Sequence, residues 1–326
     1  MISRRSLLIS SAALAASGWS RLEAQTFPNG LVRLVVPFPP GGATDVLARV
    51  VALPLQALWG QSVIQENRPG AAGLIGAKQV ATSAADGHTL LMASTGTILA
   101  LASSTGAAFP FDVTRELAPI SLVAAPPYIV VVHPSVQAGT AGELIAWAKK
   151  NPGKLTYGSS GVGSASHLSG ALFAQMAGID LLHVPYRGTG PATTDLLGGR
   201  IDIMFAPALT AAPHIAAGTL RVLGVTGASR SPLFPDFPTI AENGLANYAS
   251  LGWFGLFAPP ATPSEIAAKI SADVGSVLRS EESIKRLAEQ GAEPAPNAPA
   301  EFTAYVNSDI AKWLELARKA DIKLSP

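Results

Sequence analysis

Glycines, hydroxyls and the expected starts of helices recur together along this chain. That combination suits the grip of an anion by neutral donors. Phe38-Pro39-Pro40-Gly41-Gly42-Ala43-Thr44-Asp45 follows an apolar run and opens an amphipathic stretch. Its two glycines let the backbone approach a bound molecule, and a helix beginning there offers N–H groups with no intrahelical acceptor. Asp45 complicates an anion reading, because its charge repels a carboxylate; it caps the helix, orients the loop, or meets a cationic part of a ligand. Ser94-Thr95-Gly96-Thr97 reads as a small polar turn able to hydrogen-bond a ligand. Tyr157-Gly158-Ser159-Ser160-Gly161-Val162-Gly163-Ser164 again places hydroxyls and N–H donors before a helix. In that segment Ser159, Ser160, Gly161, Gly163 and Ser164 are candidate contacts. His167, one turn further on, either braces the structure or touches the ligand. Tyr186 can wall a site, and Arg187, the one cation in these loops, can pair with a carboxylate bidentately or brace a lobe. Ala206 and Pro207 follow a further strand and line the same edge.

Catalytic chemistry is poorly supplied. The 159–164 segment is not a nucleophile elbow, since Val162 stands where the final glycine belongs, and no Walker lysine follows it. His88, His133, His167, His183 and His214 are scattered, and no H-E-x-x-H occurs. With no cysteine, a disulfide framework, a thiolate zinc site and a Cys nucleophile are all excluded. No metal or cofactor is expected. A serine hydrolase of small esters or amides stays open as the rival, since a Ser–His–Asp set can assemble from distant positions.

The elements that must position these loops alternate along the sequence. Residues 31–38, 62–65 and 88–93 read as strands, with helices over 44–59 and 73–82 and Thr44 as an N-cap. This order predicts a mostly parallel sheet with helices on both faces. An apolar run over 120–132 is broken by Pro126-Pro127, which bars a regular central strand and suits a strand leaving one sheet for another. The pattern then restarts, with strands at 155–157, 181–186, 201–206 and 220–225 and helices at 141–150, 164–177, 192–197 and 211–217. A strand over 252–258 and helices over 263–280, 282–290 and 299–320 complete the chain. The terminal helices must dock on an existing lobe. The fold class expected is α/β, with residues 25–125 plus 248–326 as one lobe, 126–247 as the other, and two crossings as a hinge.

Length and charge agree. A chain of 326 residues suits two α/β lobes, and with a net charge of +1 and only 14% charged residues it lacks the basic stripe that nucleic acid requires. Arg4 and Arg5, a short apolar run over 7–16 and the small residue Ala24 read as an export signal over 1–24. Ser3-Arg4-Arg5-Ser6-Leu7-Leu8 resembles a twin-arginine signal. No later segment has the roughly 20 apolar residues of a membrane helix. The mature chain, from near Gln25, is expected in the periplasm as a soluble monomer.

Several segments together resemble one family. They are Pro37 to Asp45, Glu66-Asn67-Arg68-Pro69-Gly70-Ala71-Ala72-Gly73, Asp86-Gly87-His88-Thr89-Leu90-Leu91, Tyr157 to Ser164, and His183-Val184-Pro185-Tyr186-Arg187-Gly188. Pro235-Asp236-Phe237-Pro238-Thr239-Ile240 and Gly252-Trp253-Phe254-Gly255-Leu256-Phe257-Ala258-Pro259 complete the set. The chain resembles substrate-binding proteins of the tripartite tricarboxylate transporter system, the Bug or TctC-like family. That resemblance implies a type II periplasmic-binding-protein fold that closes like a Venus flytrap. It implies a small organic acid held between the 38–45 and 159–164 loops, largely by backbone groups and ordered water, and delivery to a membrane permease. A sensing role with a signalling partner is the alternative within the same fold. Pro40 stands where alanine is frequent in the family, and Arg187 where lysine is frequent.

Overall fold

The computed structural model describes residues 27–103, 111–126, 128–250, 252–289 and 291–319. The expected export signal, its cleavage point and Pro127 lie outside them. Two five-stranded sheets organise the rest. The first has the order β2-β1-β3-β10-β4, from β1 (Val32–Val36), β2 (Val63–Asn67), β3 (Thr89–Ser94), β4 (Ala118–Ala124) and β10 (Phe254–Ala258). The second has the order β7-β6-β8-β5-β9, from β5 (Tyr128–Val132), β6 (Leu155–Ser159), β7 (Leu181–Pro185), β8 (Ile203–Pro207) and β9 (Arg221–Val225).

Both sheets are mostly parallel, as the sequence pattern predicts, with one strand of each reversed against its neighbours. β1 pairs with β2 and β3 in parallel, while β10 runs antiparallel to β3 and β4. Likewise β6 is parallel to β7 and β8, while β5 runs antiparallel to β8 and β9. The antiparallel strand of each sheet is the one the chain enters on passing from the other. That happens twice, between β4 and β5 and between β9 and β10.

Each sheet is covered on both faces. Val32, Leu34 and Val36 pack under α1 (Ala43–Trp59) and α9 (Ser264–Leu278). Val35 points the other way, toward α2 (Leu74–Ala81), α3 (Thr95–Ser103) and α11 (Pro299–Lys319). The terminal helices therefore dock on the first sheet. Phe302, Val306 and Trp313 of α11 are buried there, each contributing roughly 1.5–3 kcal/mol. α4 (Val113–Glu116) and α10 (Glu281–Glu289) complete this half. In the second half, α5 (Ala141–Lys150) and α6 (Ala165–Ala177) pack on one face, α7 (Thr189–Leu197) and α8 (Ala208–Ala216) on the other.

The second crossing is tied to both halves. Ser250 N–H donates to the Thr226 carbonyl at 2.8 Å, and the Ser250 hydroxyl bonds that of Ser169 on α6. Three residues later, Trp253 N–H donates to Thr95 Oγ1 at 2.7 Å, and Trp253 Nε1–H to Asp309 Oδ2 of α11 at 2.7 Å.

Candidate functional site

In both sheets, helices begin directly beyond the carboxyl ends of strands, the edge where open α/β sheets bind ligands. α3 starts at Thr95, the residue after β3, and α8 at Ala208, the residue after β8. α1 begins after Gly42, which occupies the cap position with no side-chain cap. Thr44 is thus inside the first turn and is not the N-cap its type suggested. The helix leaves the N–H groups of Thr44 and Asp45 without an intrahelical acceptor.

Asp45 fixes this loop from within. It is 1% exposed. Its Oδ2 accepts from Gly41 N–H at 3.1 Å and from Arg49 at 2.9 Å; its Oδ1 accepts from Asn67 Nδ2 at 2.9 Å and from Gln65. Gly41 has φ 89°, left-handed backbone that a side chain would strain. The carboxylate is therefore occupied in holding the turn, and its charge is met by Arg49.

The second half supplies a matching turn. Ser164 caps α6, its Oγ accepting from His167 N–H at 3.2 Å. Ser166 Oγ accepts from Ser160 N–H at 3.0 Å and lies 3.2 Å from Ser160 Oγ and 3.1 Å from Ser164 Oγ. These bonds fold the 159–166 segment around its own hydroxyls and leave the Ala165 and Ser166 N–H groups at the open end of the helix.

The four helix starts meet in two pairs. Ala43 N–H donates to Thr189 Oγ1 at 3.2 Å, joining the starts of α1 and α7. A Cβ on Gly190 would lie 3.5 Å from the Gly41 carbonyl carbon, so these backbones touch. On the other faces of the sheets, a Cβ on Gly96 would lie 2.8 Å from Ala165 N and 2.9 Å from Ser164 Cα, joining the starts of α3 and α6. Leu168 of α6 is buried in the apolar cluster of the first half. Each helix start carries about half a positive charge. Within each pair, two such ends meet across the two halves, and a negative group beside them is favoured. Tested as a metal site, the described residues hold no group of three or more His, Cys, Asp or Glu side chains placed for an ion.

A profile of the tripartite tricarboxylate transporter family receptor matches residues 47–322. The chain belongs to this receptor family. BugT of Bordetella pertussis is 37% identical over 320 residues, spanning 98% of this chain and 96% of BugT. Rpa4515 of R. palustris, solved with adipate, superposes with a TM-score of 0.87 at 36% identity, covering 91% of this chain and 99% of its own. MatC of Rhodopseudomonas palustris, with bound malate, gives 0.83 at 31%, covering 89% and 99%. A TctC solute-binding protein from Polaromonas with no ligand gives 0.66 at 29%, covering 90% and 100%. This receptor shares its fold with all three. Its paired helix starts and touching glycines agree with a closed arrangement of the two halves.

Not every candidate residue of the receptor faces the gap with a free group. Thr95 is fully buried, its hydroxyl accepting from Trp253 N–H and donating to the Trp253 carbonyl at 3.3 Å. Ser94 Oγ caps α3, accepting from Thr97 N–H at 3.3 Å. The turn expected at 94–97 is therefore the first turn of a helix. Tyr186 OH donates to Asp195 Oδ2 at 2.8 Å, and burial, followed by that carboxylate, pushes its phenol up to about 12. Arg187 is exposed. Phe38 and Pro39 lie against Gly188 across the gap, where a Cβ would meet each at 3.5 Å. Ala206 and Pro207 are buried at the end of β8. Ser159 is buried, its Oγ 2.6 Å from His183 Nε2, with Gly161 N–H donating to it at 3.2 Å. His167 Nδ1 accepts from Gly163 N–H at 3.1 Å. Sequence reading missed Thr189, Gly190, Ser166 and His183. The first two directly follow the His183 to Gly188 segment, where a hydroxyl and a glycine at a helix start are the available signal.

Proposed function

We propose that this receptor is a periplasmic solute-binding protein that closes around a small organic carboxylate and delivers it to the permease subunits of a tripartite tricarboxylate-type system. The observation that carries this reading is the meeting of four helix N-termini in two cross-half pairs, none with a Lys or Arg in its first turn. An anion held there is bound by N–H donors and hydroxyls in a site shielded from water. Relatives solved with adipate and with malate support a dicarboxylate of four to six carbons. The proposed lobes are 25–125 plus 248–326 and 126–247, hinged at the two crossings, and the protein acts as a monomer. Periplasmic placement rests on the N-terminal export signal read in the sequence and on the family. No helix among the described residues is long and apolar enough to cross a membrane.

A second reading, hydrolysis of small esters or amides, is favoured by one observation, the 2.6 Å contact between Ser159 Oγ and His183 Nε2. Two features weigh against it. Ser159 has no exposed surface, and its hydroxyl also lies 3.1 Å from the Gly161 carbonyl, to which it can donate. A thermal-shift panel of C4–C6 dicarboxylates, followed by calorimetry, tests the first reading. Micromolar binding, worth about −8 kcal/mol, stabilises the closed protein by about 2.7 kcal/mol at 100 times Kd and raises the melting temperature. Absence of any shift across the panel refutes it; turnover of a bound ester or amide establishes the second reading.

A further inference from the structure

Two histidine rings lie beneath the glycine turn of the second lobe and are not accounted for by the grip on an anion. His167 of α6 and His183 of β7 stack with centroids 4.0 Å apart and planes 15° from parallel. Each controls one glycine peptide of the turn. His167 Nδ1 accepts from Gly163 N–H at 3.1 Å. His183 Nε2 lies 2.6 Å from Ser159 Oγ, and that oxygen lies 3.2 Å from Gly161 N and 3.1 Å from the Gly161 carbonyl. A serine hydroxyl donates once and accepts twice. All three contacts are satisfied together when Ser159 donates to the Gly161 carbonyl and accepts from Gly161 N–H and from a protonated His183 Nε2. Gly161 has φ 134°, backbone open to glycine and not to a side-chain-bearing residue, and this bonding fixes its two peptide groups there.

We infer that the His167–His183 stack is a positioning pair, which sets the Gly161 and Gly163 peptides so that the start of α6 presents its N–H groups to the bound carboxylate. The inference rests on the carboxylate reading above. Neither histidine need touch the ligand. His167 must be neutral with its proton on Nε2, because its Nδ1 is an acceptor; His183 must carry a proton on Nε2, because that nitrogen is the donor. The titratable side chains that meet here are Tyr157 from β6 and the two rings themselves. Burial lowers His167 to about 4; burial, then the neighbouring His167, lowers His183 to about 3. The pair thus stays uncharged through the range in which a free histidine titrates.

Nitrogen-15 NMR of the imidazoles, combined with calorimetric titration of malate and adipate, tests this. The wild-type spectrum is expected to show both rings as neutral Nε2–H tautomers from pH 8 to pH 5. His167→Phe and His183→Phe keep an aromatic ring but remove the acceptor and the donor, and should each weaken binding about tenfold or more. His167→Asn restores an acceptor near Nδ1 and His183→Gln a donor near Nε2, so these should recover most of the affinity. Ser159→Ala cuts the relay with minimal change of volume, and should match His183→Phe even where that variant folds poorly. An Nδ1–H tautomer or a pKa near 6.5 at His167, or a His183 whose Nε2 carries no proton, overturns the inference. Wild-type affinity in both phenylalanine variants overturns it while leaving the carboxylate reading intact. A wild-type protein that binds neither acid sinks both.

Discussion

Replacing Gly96 by alanine separates closure from folding. Gly96 is the second residue of α3, and an alanine in a helix costs less conformational entropy, favouring the fold by about 0.5–1 kcal/mol. The added methyl, however, would stand 2.8 Å from Ala165 N and 2.9 Å from Ser164 Cα, both backbone atoms of the facing lobe. Restoring an ordinary contact of 3.4 Å requires the lobes to part by about 0.6 Å at that point. A rigid-body parting of that size along the Ala43–Thr189 bond, already at 3.2 Å, carries it past hydrogen-bonding range. A ligand spanning both lobes loses one good bond to its charge, about 1.5–3 kcal/mol, or roughly 10- to 100-fold in affinity. Calorimetry with malate and adipate reads the affinity, and chemical unfolding reads the fold. Gly30→Ala, whose Cβ would meet nothing within 4 Å, is the control. Wild-type affinity in Gly96→Ala would refute the reasoning, because it would mean that binding does not bring these backbones together.

Three further outcomes follow from the same geometry. Thr189→Val keeps the shape but loses the acceptor for Ala43 N–H, and should weaken carboxylate binding about fivefold, for a bond worth about 1 kcal/mol, with no change in the unfolding midpoint; an unaltered titration curve would count against a cross-lobe latch. Asp45→Ala orphans donors from Gly41, Asn67, Gln65 and Arg49, and should cost about 1–3 kcal/mol in urea unfolding besides weakening the ligand; a fully stable variant would show that the turn does not need its brace. The third concerns pH. His167 is lowered to about 4 by burial, so between pH 6.5 and 4 the unfolded chain binds the extra proton. Its contribution, on the order of 3 kcal/mol, is complete above pH 6.5 and declines as pH falls toward 4. The melting temperature of the wild type should therefore drop over that window more steeply than that of His167→Asn, and parallel curves would contradict the assignment.

Much of the architecture was legible because apolar periodicity and turn chemistry agree. Val32 to Val36 is an apolar run closed by prolines and glycines, and it is a strand. Pro126 marks the passage from β4 to β5, since proline cannot continue a ladder. Boundaries slipped where tertiary partners replaced local signals. Thr44 looks like a cap, but the loop is held by Asp45 and Thr189, so the helix starts one residue before it. Thr95 to Ser103 has no charged face, and its helix was hidden because its first turn is satisfied by Trp253, far along the chain. The one reversed strand of each sheet was equally hidden: β10 pairs antiparallel with β3 and β4, and no local residue pattern encodes direction. At the site, the glycine-rich turns could be read directly. His183 could not, because its role depends on β6 and β7 pairing in the register that sets Tyr157 opposite it.

A crystal structure with a bound dicarboxylate tests the central claim most directly. The expected result is a carboxylate between the two glycine turns, its oxygens within hydrogen-bond distance of N–H groups at the starts of α1 and α6, with Arg187 still in solvent. A ligand paired with the Arg187 guanidinium, or seated outside the gap between the lobes, would contradict it.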